Sequence, residues 1–364
     1  MLATFPICND GDFLIVPVRF KGDEYHFAVD TGSLLSVYDI AFKEHLQSLH
    51  DYMNVDTGYG RVNAELFSEL DISLLEATPS PLGGLSLKTG KPALCFDLRS
   101  VRVASGLKIY GVIGMSFLRT HPVSIDNDKA LMAFLSYPIH DKRPYITISY
   151  DNKSGLPYTE MQVRGIGARR FLLDTGHSAT ISGRLGDQDF DLLRRRDPNG
   201  HVRRYDHATV NMDVALAFRG EPTSSVILRA HMGSNVNIIG LGFLKRFNTT
   251  MDFETRRLYI EKSKMFTVKD VDENRGFTLI SRDARIVVSR VGPDSPASDA
   301  GLAAGDVLLR VDDVDLSAMR LFAVYSLIGK AEKPIWITVL RGDRRFSVIV
   351  NRARELTERE STGR

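Results

Sequence analysis

A chain of 364 residues is long enough for two or three domains at about 150 residues each, and 43% hydrophobic with 25% charged residues is the balance of a folded protein, not a disordered one. Forty-seven Lys and Arg against 45 Asp and Glu leave a formal net charge of +2, which argues against a partner made of nucleic acid or anionic lipid. Two cysteines, Cys8 and Cys95, form neither a disulfide framework nor a metal-ligand spacing, and no apolar run reaches the length of about 18 residues that a membrane helix needs.

The opening residues, MLATFPICNDGDFLIVPVRF, lack the basic start and unbroken apolar stretch of an export signal. The compartment stays open: cytoplasmic as the chain stands, exported if a leader has been removed. Residues 13 to 29, FLIVPVRFKGDEYHFAV, predict two strands joined at a Lys-Gly-Asp turn and leading into Asp30-Thr31-Gly32-Ser33. A second Asp-Thr-Gly, at Asp56, Thr57 and Gly58, follows YMNV instead of an apolar strand and reads as part of a hairpin, with Tyr59 next to its tip. After the Pro/Gly-rich stretch TPSPLGG (78 to 84) comes VIGMSFLRTHPVSID (112 to 126), then the β-rich ALMAFLSY.

The pattern then returns. MQVRGIGARRFLL (161 to 173) predicts another hairpin, leading into Asp174-Thr175-Gly176-His177, and IIGLGFLKRFNTTMD (238 to 252) repeats the apolar-apolar-Gly followed by Phe-Leu. Twelve positions separate Gly114 from Asp126, and twelve separate Gly240 from Asp252. Matching letters at matching spacing predict an internal duplication, with the longer insertions in the first copy.

Two halves that each deliver Asp-Thr-Gly behind an apolar strand resemble the aspartic peptidases of the pepsin and retropepsin kind, here in a single chain of bacterial type, over roughly residues 10 to 262. The resemblance implies a mostly β fold of two pseudo-twofold-related lobes of double-psi type, with Asp30 and Asp174 as the catalytic pair. Two carboxylates can divide the work of hydrolysis, one removing a proton from water and the other protonating the carbonyl oxygen. Held about 3 Å apart they cannot both ionise, so a proton is shared and the titration belongs to the pair; this enzyme class is the standard illustration of that rule. Gly32 and Gly176 let the backbone pass close to the carboxylates. The resemblance further implies that Thr31 and Thr175 bond across the lobe interface, that Gly114 and Gly240 are close-packing supports beneath each loop, that Ser33 offers its hydroxyl to a carboxylate oxygen, and that Tyr59 belongs to a mobile flap. His177 departs from the family, which usually has Ser, Thr or Ala there; its ring either points inward and skews the pair or lies on the surface. A catalytically inactive lobe pair that only captures peptides is the alternative function.

Residues 292 to 316, GPDSPASDAGLAAGDVLLRVDDVDL, are similar to the PDZ signature, with LFAVYSLIGK as the helix beside the peptide groove and IWITVLRGDRRFSVIV as a closing hairpin. Such modules take a peptide as an added strand. Arg275, Gly276, Phe277, Thr278 and Leu279 stand where the carboxylate-binding loop and its strand are expected, with Arg275 as a candidate to assist. The chain thus divides into an N-terminal lobe (1–140), a C-terminal lobe (141–264), a PDZ domain (265–353) and a polar tail (354–364). Metal and other hydrolase motifs are absent, and Arg194 to Arg196 with Arg203 and Arg204 read as a solvated basic face. The expected partners are protein or peptide substrates and a PDZ ligand peptide, with no cofactor, no metal, no nucleic acid and no membrane span. A monomer suffices, since one chain holds both halves.

Overall fold

The computed structural model describes residues 2–7, 13–57, 60–75, 85–105, 107–137, 139, 141–163, 167–177, 181–183, 202–206, 209–214, 216–218, 221–222, 226–231, 236–267, 275–283, 285–293, 295–331 and 333–352. For the segments between 181 and 231, and for residues 56, 57, 60, 104, 322 and 330, only the backbone course is described. The fold is mostly β, and the described residues form four sheets with a few short helices.

Alternating apolar residues make Ile15–Phe20 a strand with Val16, Val18 and Phe20 buried. It pairs antiparallel with Asp23–Val29 from Ile15↔Ala28 to Phe20↔Asp23. Lys21 and Gly22 join them with φ of 50° and 95°, the left-handed pair that suits the twist of a two-residue hairpin. Asp23–Val29 is exposed at its start and fully buried over Phe27, Ala28 and Val29, so it enters the core just before Asp30. Gly167–Leu173, the strand before Asp174, shows the same progression, ending in buried Phe171, Leu172 and Leu173. Each buried side chain of this size contributes roughly 1.5–3 kcal/mol, which fixes where the strand ends and the loop begins.

The duplication extends to topology. One sheet runs Ser48–Thr57, Gly60–Phe67, Ala93–Phe96, Val37–Asp39, Ile109–Ile113, Asp23–Val29, Ile15–Phe20, Ser73–Leu74. The other runs Val202–Asp206, Thr209–Val214, Val226–His231, Ile181–Gly183, Ile238–Ile239, Gly167–Leu173, Pro157–Val163, Leu216–Phe218, Glu221–Pro222. In each, the strand before Asp-Thr-Gly lies parallel to the apolar-apolar-Gly strand, which on its other side pairs antiparallel with the strand after the triplet. A third sheet joins the halves in the order Ala3–Pro6, Leu131–Phe134, Val123–Asp126, Phe247–Asp252, Arg257–Lys262, Tyr145–Thr147. At its centre Val123–Asp126 and Phe247–Asp252 pair antiparallel, and one apolar cluster runs through both halves.

Residues 277–350 form a separate sheet with its own core: Phe277–Arg282, Arg285–Val291, Val307–Val311, Ile335–Arg341 and Arg344–Val350 in that order, with the Leu321–Lys330 helix against it. Phe277–Arg282 is the outermost strand of that order. No described helix is long and apolar enough to cross a membrane.

Candidate active site

Both aspartates sit one residue beyond a buried strand, held by the same bonds. The Asp30 N–H donates to the Ile113 carbonyl at 3.0 Å, and the Asp174 N–H to the Ile239 carbonyl at 3.0 Å. Ser33 N–H reaches back to the Asp30 carbonyl at 3.3 Å, as His177 N–H does to the Asp174 carbonyl at 3.3 Å. The carbonyls of Ser33 and His177 then accept from Met115 and Leu241, each at 2.8 Å. Gly114 and Gly240 lie between strand and helix, with φ,ψ of −96°, −175° and −99°, −177°. A side chain on Gly114 would meet the Leu35 carbonyl oxygen at 2.3 Å, so the loop can rest on the helix start only if residue 114 lacks a Cβ.

The two loops are joined by four crossed bonds. Thr31 Oγ1 donates to the Leu173 carbonyl at 2.7 Å and accepts the Thr175 N–H at 3.1 Å; Thr175 Oγ1 donates to the Val29 carbonyl at 2.8 Å and accepts the Thr31 N–H at 3.1 Å. Both threonines are fully buried. Each hydroxyl thus satisfies one donor and one acceptor of the opposite half that could not reach water. Thr31→Val should cost about 3 kcal/mol, because it leaves the Leu173 carbonyl and the Thr175 N–H unpaired in the interior. Denaturant unfolding checks this; Thr31→Ser, which keeps both bonds, should lose well under half as much.

This clamp brings the two acidic side chains together. The carboxyl groups of Asp30 and Asp174 are hydrogen-bonded to each other. Gly32 N–H donates to Asp30 Oδ1 at 2.7 Å and Gly176 N–H to Asp174 Oδ1 at 2.9 Å. Each glycine also faces the opposite carboxyl: a Cβ on Gly32 would stand 2.6 Å from Asp174 Cγ, and one on Gly176 2.5 Å from Asp30 Cγ. Burial raises the pKa of both carboxyls; for Asp174 the charge of Asp30 and their mutual bond add to the rise, which is large. At Asp30 the N–H groups of Gly32, Gly176 and Ser33 and the bond from Asp174 partly offset burial. The pair therefore keeps a shared proton at a pH where an ordinary carboxyl would have lost it.

Ser33 and Arg275 are placed differently from expectation. The Ser33 hydroxyl donates to the Leu35 carbonyl at 2.8 Å, closing its own loop, and it is the Ser33 N–H that serves Asp30. In the same way the His177 N–H serves Asp174, and His177 is half-buried. Arg275 is not offered to a ligand: it is buried, with its guanidinium donating to the carbonyls of Val350, Ala331 and Lys333 at 2.8, 2.6 and 2.9 Å. A buried guanidinium must find acceptors, and here it clasps two ends of the C-terminal module.

Gly276 has φ of 81°, and a Cβ there would collide with Ser295 at 2.0 Å. Phe277 and Leu279 point into the module's core, and Thr278 Oγ1 bonds Ser289 Oγ at 2.8 Å. Sequence reasoning missed Tyr325, whose hydroxyl accepts the Leu279 N–H at 2.6 Å and donates to the Leu279 carbonyl at 3.2 Å. A tyrosine midway along an apolar helix gave no sign of that contact.

Asp56 and Thr57 end one arm of a long hairpin, Ser48–Thr57 with Gly60–Phe67, in which Thr57 pairs with Gly60. Tyr59 lies outside the described residues, as do the stretch 78–84, Arg194 to Arg196, and the side chains of Arg203 and Arg204.

Residues 287–341 match the family described as PDZ domain. Among solved structures, the chain is similar to the aspartic proteinase from Irpex lacteus at 14% identity and a TM-score of 0.46, covering 73% of this chain and 98% of that one. No curated protein matches the sequence.

Proposed function

We propose that the protein is an aspartic endopeptidase in which residues 1–140 and 141–264 form the two lobes, and that the PDZ domain within 265–353 receives peptides and governs access to the site. The observation that supports this reading is the pair of mutually hydrogen-bonded carboxyls, raised in pKa and locked in register by reciprocal threonine bonds. A water molecule entering between the carboxyls gives its proton to Asp30 as it attacks the peptide carbonyl, while Asp174 donates its proton to the carbonyl oxygen. Collapse of the tetrahedral adduct returns a proton to the leaving nitrogen and regenerates the pair. The Ser48–Thr57/Gly60–Phe67 hairpin acts as the flap that closes over an extended substrate. Both acids lie in one chain, so a single subunit is sufficient.

A pepstatin-like mimic of the tetrahedral intermediate tests the reading, because transition-state analogues bind by about 10²-fold or more over substrate only where the reacting groups are already placed. Calorimetry at acidic pH should show one mimic per chain. Absence of binding and of cleavage at every pH tried would remove the peptidase reading and leave a peptide-capturing protein.

A further inference from the structure

The outer strand of the PDZ domain, Phe277–Arg282, is where an added peptide strand would pair. It is not open. The short helix Arg99–Ser105, which belongs to the N-terminal half, packs along this strand. Tyr325, from the helix on the other side of the groove, holds both the N–H and the carbonyl of Leu279, a donor and an acceptor of one residue on the receiving strand.

The helix has two faces with different uses. Val101 packs on the cluster of Val37, Ala64, Leu66, Leu94 and Leu98 in its own half. Val103 lies about 200° further round at 3.6 residues per turn, is half-buried, and is no part of the apolar clusters of its own half. It therefore lies on the face of the helix turned away from that cluster.

The same helix is tied to the acidic pair. Arg102 Nη1 donates to Asp39 Oδ2 at 2.8 Å and to the Ile109 carbonyl at 3.0 Å, and Asp39 also accepts the N–H groups of Leu98 and Ala41. Ile109 begins the strand whose last carbonyl, that of Ile113, fixes the Asp30 N–H.

We infer that the Arg99–Ser105 helix is the resident occupant of the PDZ receiving strand, so that an incoming peptide must displace it and thereby acts on the lobe that carries Asp30. The ligand class is an extended peptide that pairs as an added strand, and the competitor is this chain's own helix. Displacing the helix strains the Arg102–Asp39 clamp, which lies between the PDZ domain and the strand behind Asp30.

The test uses the full chain carrying Asp30→Asn, so that no probe is cleaved and the outcome is independent of the peptidase reading. Hydrogen exchange is followed across residues 277–282 in Tyr325→Phe and in Tyr325→Phe/Val103→Glu. Loss of the helix should speed exchange there at least tenfold in the double variant over the single one. The double variant should also bind a fluorescein-labelled decapeptide ending in a free valine carboxylate at least tenfold more tightly than the parent. Equal exchange in the two variants overturns the inference, and so does binding of the decapeptide by the parent as tightly as by the double variant.

Discussion

Asp174→Asn should lower cleavage of a peptide substrate by about 10³-fold or more, since it removes the proton donor of the pair and the partner that orients Asp30. Asp30→Asn should do the same by removing the base. The stabilities of these variants should move the other way. Each carboxyl has its pKa raised above the ordinary 3.8 by folding, so the native state binds more protons than the unfolded chain between that value and the folded one. The native state is therefore favoured at low pH and loses stability as pH rises through the folded value. Asn carries no charge to bury, so Asp174→Asn should melt above the parent at neutral pH and level with it near pH 3, a comparison that thermal unfolding at two pH values makes directly. The pH profile of kcat/KM in the parent follows from the same pair. Activity requires one proton on two carboxyls, so it falls when pH drops far enough to protonate both and falls again when pH rises far enough to strip the shared proton. A variant that loses cleavage but melts at the parent's temperature at both pH values would show that the carboxyls do not share a proton.

Gly32→Ala and Gly176→Ala should each reduce kcat by about 10²-fold or more with little loss of folded protein. The methyl group introduced at either position would stand 2.5–2.6 Å from the opposite carboxyl carbon, so that carboxyl must move. Both glycines lie at a loop surface shared between the halves, and a displacement of the reacting groups by about 1 Å is enough for such a loss. The effect should be reciprocal: the change at Gly32 disturbs Asp174, and the change at Gly176 disturbs Asp30. Circular dichroism and pepstatin-like binding separate the outcomes, with secondary structure retained and the mimic weakened. Full activity in both alanine variants would mean that the loops do not hold the carboxyls at the distance described.

Much of this was legible because the chain says it twice. The hairpins before Asp30 and Asp174, the spacing from Gly114 to Asp126 and from Gly240 to Asp252, and the helix and hairpin of the C-terminal module are all short-range patterns of apolar period and turn residues, which a linear sequence displays. The contacts made between segments distant in the chain were not legible. Ala3–Pro6 takes an edge of the joining sheet beside Leu131–Phe134, a pairing no local pattern announces. Arg275 is a candidate to assist a ligand because a cation stands near an expected anion site; its use as a clasp depends on carbonyls some 56 to 75 positions away. Ser33 has a hydroxyl of suitable size beside Asp30, and only the course of the backbone shows that Leu35 receives it. The Arg99–Ser105 helix carries no motif, and its meaning arises from the strand it lies against.

The sheet that joins the two halves has a consequence for how the molecule comes apart. Val123–Asp126 and Phe247–Asp252 are the middle strands of one sheet, each paired on one side within its own half and on the other side with the opposite half. Melting either lobe alone would strip a central strand on one side and expose a bare β edge to any neighbouring chain. The two halves should therefore unfold together in a single transition, and the acidic pair should be lost in that same transition.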